Sequence, residues 1–150
     1  MPIARCTSAI ACLPPSEKQP YTLVQKVKDS NDTAILRFKL PKGRESLGDN
    51  PLLPTCISVE YEDGVDPVTG KRKVLKKSYS PISHPSETDV FDLLVKSYTL
   101  RPGGGVGAYI CGLEVGDSMT ASVKPERVMH GSPLLLKRWK HVGLIAGGTG

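Results

Sequence analysis

The sequence predicts an all-β domain, an antiparallel sandwich or barrel with one short helix. Three observations predict it. A period of two recurs from Tyr21 onward, turn-forming clusters separate the periodic runs, and no long helical pattern interrupts them. At 150 residues the chain has the length of one domain, enough to bury a core without disulfides or metal. Ala34, Leu36, Phe38 and Leu40 alternate with Ile35, Arg37 and Lys39, the pattern of a strand with one buried face. Ile57, Val59 and Tyr61 repeat it, as do Phe91, Leu93 and Val95, then Met119, Ala121 and Val123. KDSND, EDGVDPVTG and HPSETD supply the turn chemistry between runs. The helix is expected over Val106–Leu113, after Gly103-Gly104-Gly105 and before a stop near Gly116, and residues 41–55 as a long irregular connection.

Gly 15 and Pro 13 make the chain rich in turns, yet short of the ~25–30% that marks low complexity. Hydrophobic residues at 39% exclude disorder as a description of the whole chain. No apolar run approaches the ~20 residues of a membrane-spanning helix. Cys6, Cys12, Cys56 and Cys111 show no CxxC spacing and His84, His130 and His141 do not cluster, so no metal site is expected and the thiols are read as reduced and intracellular. The net charge is +5, and the segment KRKVLKK alone holds Lys71, Arg72, Lys73, Lys76 and Lys77. Glu60, Glu62, Asp63 and Asp66 precede it. Two readings stand side by side: a solvated hairpin arm neutralised by its own acids, or a surface for an acidic partner. Nucleic acid is disfavoured, because aromatics are 5% of the chain and KRKVLKK contains none to stack on bases.

The ends differ from the middle. Residues 1–18 are expected to be a flexible N-terminus or the remnant of a targeting segment, and residues 19–140 the barrel domain. In residues 141–150, HVGLIAGGTG, an apolar run enters a glycine turn. Nucleotide-binding α/β units open this way, so this stretch is expected to be the first strand and turn of a second domain that is cut short here.

KSYSP at Lys77–Pro81, DLLVKSY at Asp92–Tyr98, GGGVGAYICGLEVGD at Gly103–Asp117 and GLIAGGTG at Gly143–Gly150 share order and spacing with one family. From about Tyr21 to Gly150 the chain resembles the NADH–cytochrome b5 reductase branch of the ferredoxin–NADP reductase superfamily. The resemblance implies a six-stranded antiparallel Greek-key β-barrel with one short helix that binds FAD. The family pattern R-x-Y-[ST]-P falls on Lys77, Ser78, Tyr79, Ser80 and Pro81. It implies Lys77 at the flavin diphosphate, Tyr79 against the ring and Ser80 near N5, the atom that receives hydride. A diphosphate needs positive charge, a flavin face an aromatic wall, and N5 a hydrogen-bond partner that senses its redox state. Leu94 is implied in backbone contact with the flavin, and Lys96 at the ring edge beside the incoming nicotinamide. Tyr98 and Thr99 belong to the same wall, and alternation sets Leu94, Lys96 and Tyr98 opposite Leu93, Val95 and Ser97. Gly104, Gly105, Val106 and Gly107 fall where relatives hold phosphate on the amides of a helix start. Thr149 lies in the terminal glycine turn. Ser80 and Lys96 are the residues expected to take part in the chemistry.

The chain departs from the family at several positions. Lys77 replaces an arginine and loses its bidentate fork. Gly105 removes a lysine, and Gly107 removes a serine hydroxyl. Pro51–Cys56 replaces P-x-G-Q-H, and Lys124-Pro125-Glu126-Arg127 replaces a glycine-rich turn. A divergent member with weakened cofactor contacts is expected. The function implied is electron transfer from NADH through FAD to an acidic haem protein such as cytochrome b5, with Lys71, Arg72 and Lys73 steering the partner. The alternative is a non-catalytic small barrel that uses the 71–77 arm as a binding surface. The 150-residue stretch is expected to be inactive alone, because NADH recognition in relatives belongs largely to the second lobe. The protein is expected inside the cell, in the cytoplasm or peripherally on a membrane such as the endoplasmic reticulum or mitochondrion.

Overall fold

A computed structural model describes residues 17–47, 55–84, 87–98 and 105–124, and singly residues 141, 143 and 145. Six strands and one helix follow in the order β1 Lys18–Lys28, β2 Thr33–Lys39, β3 Ile57–Val65, β4 Arg72–Tyr79, β5 Val90–Lys96, α1 Gly105–Gly112 and β6 Ser118–Val123. They form one six-stranded sheet in the spatial order β4-β3-β6-β1-β2-β5, with every neighbouring pair antiparallel. Two hairpins, β1–β2 and β3–β4, are joined by β6 between them, which gives the expected Greek-key barrel. The four strands expected from two-residue periodicity are all present, and the helix lies one residue upstream of its expected span. The first and last strands of the order, β4 and β5, are not paired with each other. Helix α1 packs on both of them and on β2 and β3, filling the opening between the two ends.

Alternation decides what is buried. Ala34, Leu36 and Phe38 of β2, Phe91, Leu93 and Val95 of β5, and Met119, Ala121 and Val123 of β6 all point inward, as the sequence pattern requires. Ile57 and Val59 do the same on β3, and Val106 and Ile110 on α1, with Leu113 just past its end, turn toward this core. Phe38 and Phe91 stand directly opposite one another in the β2–β5 register. Their rings stack at 5.7 Å, and Tyr21 meets Phe91 edge-on at 5.4 Å. No polar or charged residue is fully buried among the described residues.

β1 serves two partners in turn. Lys18–Thr22 pair with β6 and Thr22–Lys28 with β2, and the register slips between Leu23 and Gln25. That irregularity is a β-bulge, which bends a strand and lets it turn a barrel corner. The Leu23 amide donates to the Asp117 carbonyl at 2.8 Å, and the Gly116 amide donates to the Leu23 carbonyl at 2.8 Å, so the approach to β6 is fastened at this bend.

The KRKVLKK segment is strand β4, the second arm of a hairpin. The turn before it is closed by the Asp66 carboxylate, which accepts from the Val68 amide at 2.8 Å. These amides hold the Asp66 carboxyl below its ordinary range. Its cations are largely met by acids of the same hairpin. Arg72 reaches Glu62 at 3.2 Å, Lys73 reaches Asp63 at 3.2 Å, and Lys76 reaches Glu60 at 2.5 Å. Glu60 also accepts from Lys18 at 2.6 Å, and these two lysines keep its carboxyl below the usual carboxylate range. Of the two sequence readings of this arm, the paired geometry favours the self-neutralised hairpin.

Candidate functional site

Of the residues singled out by sequence, Lys77, Tyr79, Lys96, Tyr98 and Gly105–Gly107 lie where α1 meets the two unpaired strand edges. On β4, Lys77 stands opposite buried Val59 and Tyr79 opposite buried Ile57, so both take the inner side of the strand. Ser78 pairs with Ser58 on the outer side. The Lys77 ammonium lies 5.6 Å from the Tyr79 ring centroid and 5.4 Å from that of Tyr98, beyond the end of β5. A cation over an aromatic face is attracted by the ring quadrupole. No carboxylate among the described residues pairs with Lys77, in contrast to Arg72, Lys73 and Lys76.

Helix α1 is drawn unusually close to this group. A Cβ built on Gly107 would stand 2.5 Å from the Lys96 carbonyl oxygen and 3.7 Å from the Tyr79 hydroxyl. Contact that close with a backbone atom leaves room only for glycine. Gly105, at φ +70°, opens the helix in the left-handed region that disfavours side chains. The first amides of a helix have no partner within it. Here Gly105, Val106 and Gly107 present such amides between Tyr79 and the end of β5. The Val106 side chain goes into the core, 5% exposed, so this residue offers the site its backbone alone.

The Tyr79 hydroxyl is buried and, like that of Tyr21 in the core, has no hydrogen-bond partner among the described residues. A buried hydroxyl without a partner costs free energy unless a ligand or water completes it. Burial, with smaller contributions from Cys111 and Tyr98, pushes its pKa up to about 12. It therefore stays a neutral donor across the physiological range. Lysine charge, helix-start amides, an aromatic wall and one uncompleted hydroxyl fit a flat ring attached to an anionic tail, and FAD has that form.

Other predicted residues are placed less directly. Ser80 follows β4, and its hydroxyl lies 3.4 Å from the Cys56 thiol. The Leu94 side chain is 45% exposed on the outer face beside Ile35, away from the core, so only its backbone can turn toward the groove. Lys96 is held at 3.2 Å by Asp32 and lies 5.6 Å from the Tyr98 ring. Thr99, Gly104 and Thr149 lie outside the described residues, as does most of the expected glycine turn at the C-terminal end. Sequence reasoning missed Asp32, Cys56 and the tight approach at Gly107. The acid in the turn KDSND was visible, but nothing in its spacing pointed to Lys96, 64 positions away.

A cleft of about 480 Å³ elsewhere is lined by the stacked Tyr61–Tyr109 pair with Lys18, Glu60, Glu62, Val74 and Thr120. Its acids are already paired, and it holds none of Lys77, Tyr79, Lys96 and Tyr98.

The profile of the oxidoreductase FAD-binding domain matches residues 20–124, which take in all six strands and the helix but for the first two residues of β1. The chain is 36% identical over 138 residues to NADH-cytochrome b5 reductase 1 of Aspergillus terreus, covering 92% of this chain and 42% of that protein. With the protein of the same name from Mycosarcoma maydis it shares 40% over 141 residues, covering 92% and 38%. Among solved structures, the cytochrome b5 reductase domain of Ulva prolifera nitrate reductase superposes with a TM-score of 0.57 at 28% identity, covering 77% of this chain and 43% of that one. The chain thus spans about two-fifths of the length of the curated relatives it matches.

Proposed function

This chain belongs to the oxidoreductase FAD-binding domain family, and we propose that it serves the reaction its relatives are named for, passing electrons from NADH through FAD to a one-electron acceptor such as cytochrome b5. The observation that carries this reading is the uncompleted Tyr79 hydroxyl beside the Gly107 helix start, with the Lys77 ammonium over the ring and no carboxylate among the described residues to neutralise it. FAD, when bound, supplies the ability to take two electrons as hydride and release them singly.

The chain's own residues bind and orient. Lys77 and the amides of Gly105, Val106 and Gly107 counter the charge of the diphosphate. The Tyr79 ring forms a wall for the flavin, and its hydroxyl donates to the ligand. Ser80, whose hydroxyl meets the Cys56 thiol at 3.4 Å, would offer that hydroxyl to the bound flavin as a hydrogen-bond partner. Lys96 sets the charge at the ring edge where the nicotinamide arrives, and Tyr98 packs across the groove from Tyr79. The reading also takes the acceptor to be an acidic haem protein. Because Arg72 and Lys73 are paired within their hairpin, the steering charge of this arm comes from Lys71.

One experiment tests the acceptor. The FAD-loaded chain, reduced photochemically without oxygen and mixed with excess oxidised cytochrome b5, is expected to reduce the haem in a single turnover, more slowly as salt is added. Reduced flavin persisting beside oxidised cytochrome b5 contradicts it.

A further inference from the structure

We infer that Asp32, in the β1–β2 turn, is a positioning residue that sets the electrostatic field of the flavin groove through Lys96, an inference that rests on the function proposed above. The turn is built to aim this carboxylate. Oδ1 of Asp32 accepts from the Ser30 hydroxyl at 3.1 Å and from the Thr33 hydroxyl at 3.1 Å. Its other oxygen is left to the Lys96 ammonium, at 3.2 Å. The Asp32 backbone carbonyl takes the Ser97 amide at 2.7 Å. One turn residue thus fastens both the side chain at the end of β5 and the backbone that follows it. Thr33 stands directly opposite Lys96 in the β2–β5 register, which brings the turn to this point.

From Asp32 the contacts run straight into the groove. Lys96 lies 5.6 Å from the Tyr98 ring, and Lys77 approaches the same ring at 5.4 Å. Two ammonium groups at one ring repel each other, and like charge gathered there favours whatever ligand form carries more negative charge. Asp32 balances one of the two and keeps Lys96 from swinging inward. Lys96 is also the residue whose backbone carbonyl touches Gly107, so side chain and main chain of one residue are fixed from opposite sides. Lys96 and Asp32 are both partly exposed, 44% and 46%. Solvent screens the pair, and its effect on the groove is correspondingly modest.

The test uses the whole chain loaded with FAD. Asp32→Asn is expected to raise the reduction potential of the bound flavin, because reduced flavin then binds about threefold more tightly relative to oxidised, the scale of one screened ion pair. Asp32→Glu restores most of the wild-type value. In a Lys96→Met background, Asp32→Asn adds no further shift. A potential unchanged by Asp32→Asn while FAD stays bound overturns the inference, as does a shift that survives in Lys96→Met. A second readout needs no flavin. The Asp32 carboxyl, held below its ordinary range chiefly by Lys96, is expected to titrate at higher pH in Lys96→Met by NMR, and an unmoved titration overturns the coupling. A chain that takes up no FAD overturns the proposed function, and the inference with it, even where that titration moves.

Discussion

Gly107→Ser, the change that restores the family's serine, is expected to weaken FAD binding by roughly tenfold rather than improve it, the cost of overpacking at a fixed contact. The reason is geometric. A Cβ at this position falls 2.5 Å from the Lys96 carbonyl, and a backbone oxygen at the end of a paired strand cannot rotate away as a side chain would. Either α1 or the end of β5 must shift, and both carry groups of the groove: the helix-start amides on one side, Lys96 and Tyr98 on the other. Small displacements of positioning groups cost large factors in function. The neighbouring departure follows the same logic, since Gly105 has φ +70° and a lysine there would be strained. The two glycines form a consistent local solution in which the helix sits closer to β5 than side chains permit. A fluorescence titration of FAD against wild type and Gly107→Ser decides the matter. Equal or tighter binding by the variant shows that the helix start adjusts freely and that the contact carries no weight.

Phe91→Ala is expected to destabilise the barrel by about 3–5 kcal/mol, the range for removing a buried phenylalanine. Phe91 is 1% exposed and packs against Phe38 and Tyr21 at once. Its removal leaves a cavity lined by two rings, Tyr21 on β1 and Phe38 on β2, that are held in paired strands, so collapse into the space is limited. Domains of this size hold about 5–15 kcal/mol in total, and the variant is expected to be partly unfolded near body temperature. The effect reaches the groove as well. Phe38 opposite Phe91 fixes the β2–β5 register, and that register delivers Lys96 to Asp32. Urea unfolding of the two chains measures the loss, and a difference below about 1 kcal/mol would mean that the aromatic trio is not the keystone of the core.

Much of this architecture was legible in the sequence because one face of each strand is buried. Ala34, Leu36 and Phe38 declare β2, and Phe91, Leu93 and Val95 declare β5, through a period that survives any detail of tertiary packing. Strand β4 was harder to read. Lys73, Lys77 and Tyr79 share its inner side with Leu75, and a strand facing a ligand groove rather than a core carries polar residues where a periodicity argument looks for apolar ones. Helix α1 was legible through Val106, Ile110 and Leu113 despite its glycines. Those glycines read in the sequence as lost cofactor contacts, because the close approach to Lys96 and the left-handed opening exist only in three dimensions. The groove residues Lys77, Tyr79, Lys96 and Tyr98 were found by resemblance. The partnership of Asp32 with Lys96 was not, because a contact between distant positions leaves no local pattern.

The central claim is that FAD occupies the groove between β4, α1 and β5. Following backbone amide resonances while FAD is added to the chain tests it most directly. Saturable binding, with the largest changes at Lys77–Ser80, Lys96–Tyr98 and Gly105–Gly107, is the predicted result. Saturation with changes concentrated instead around Tyr61 and Tyr109, or no saturation at all, would contradict it.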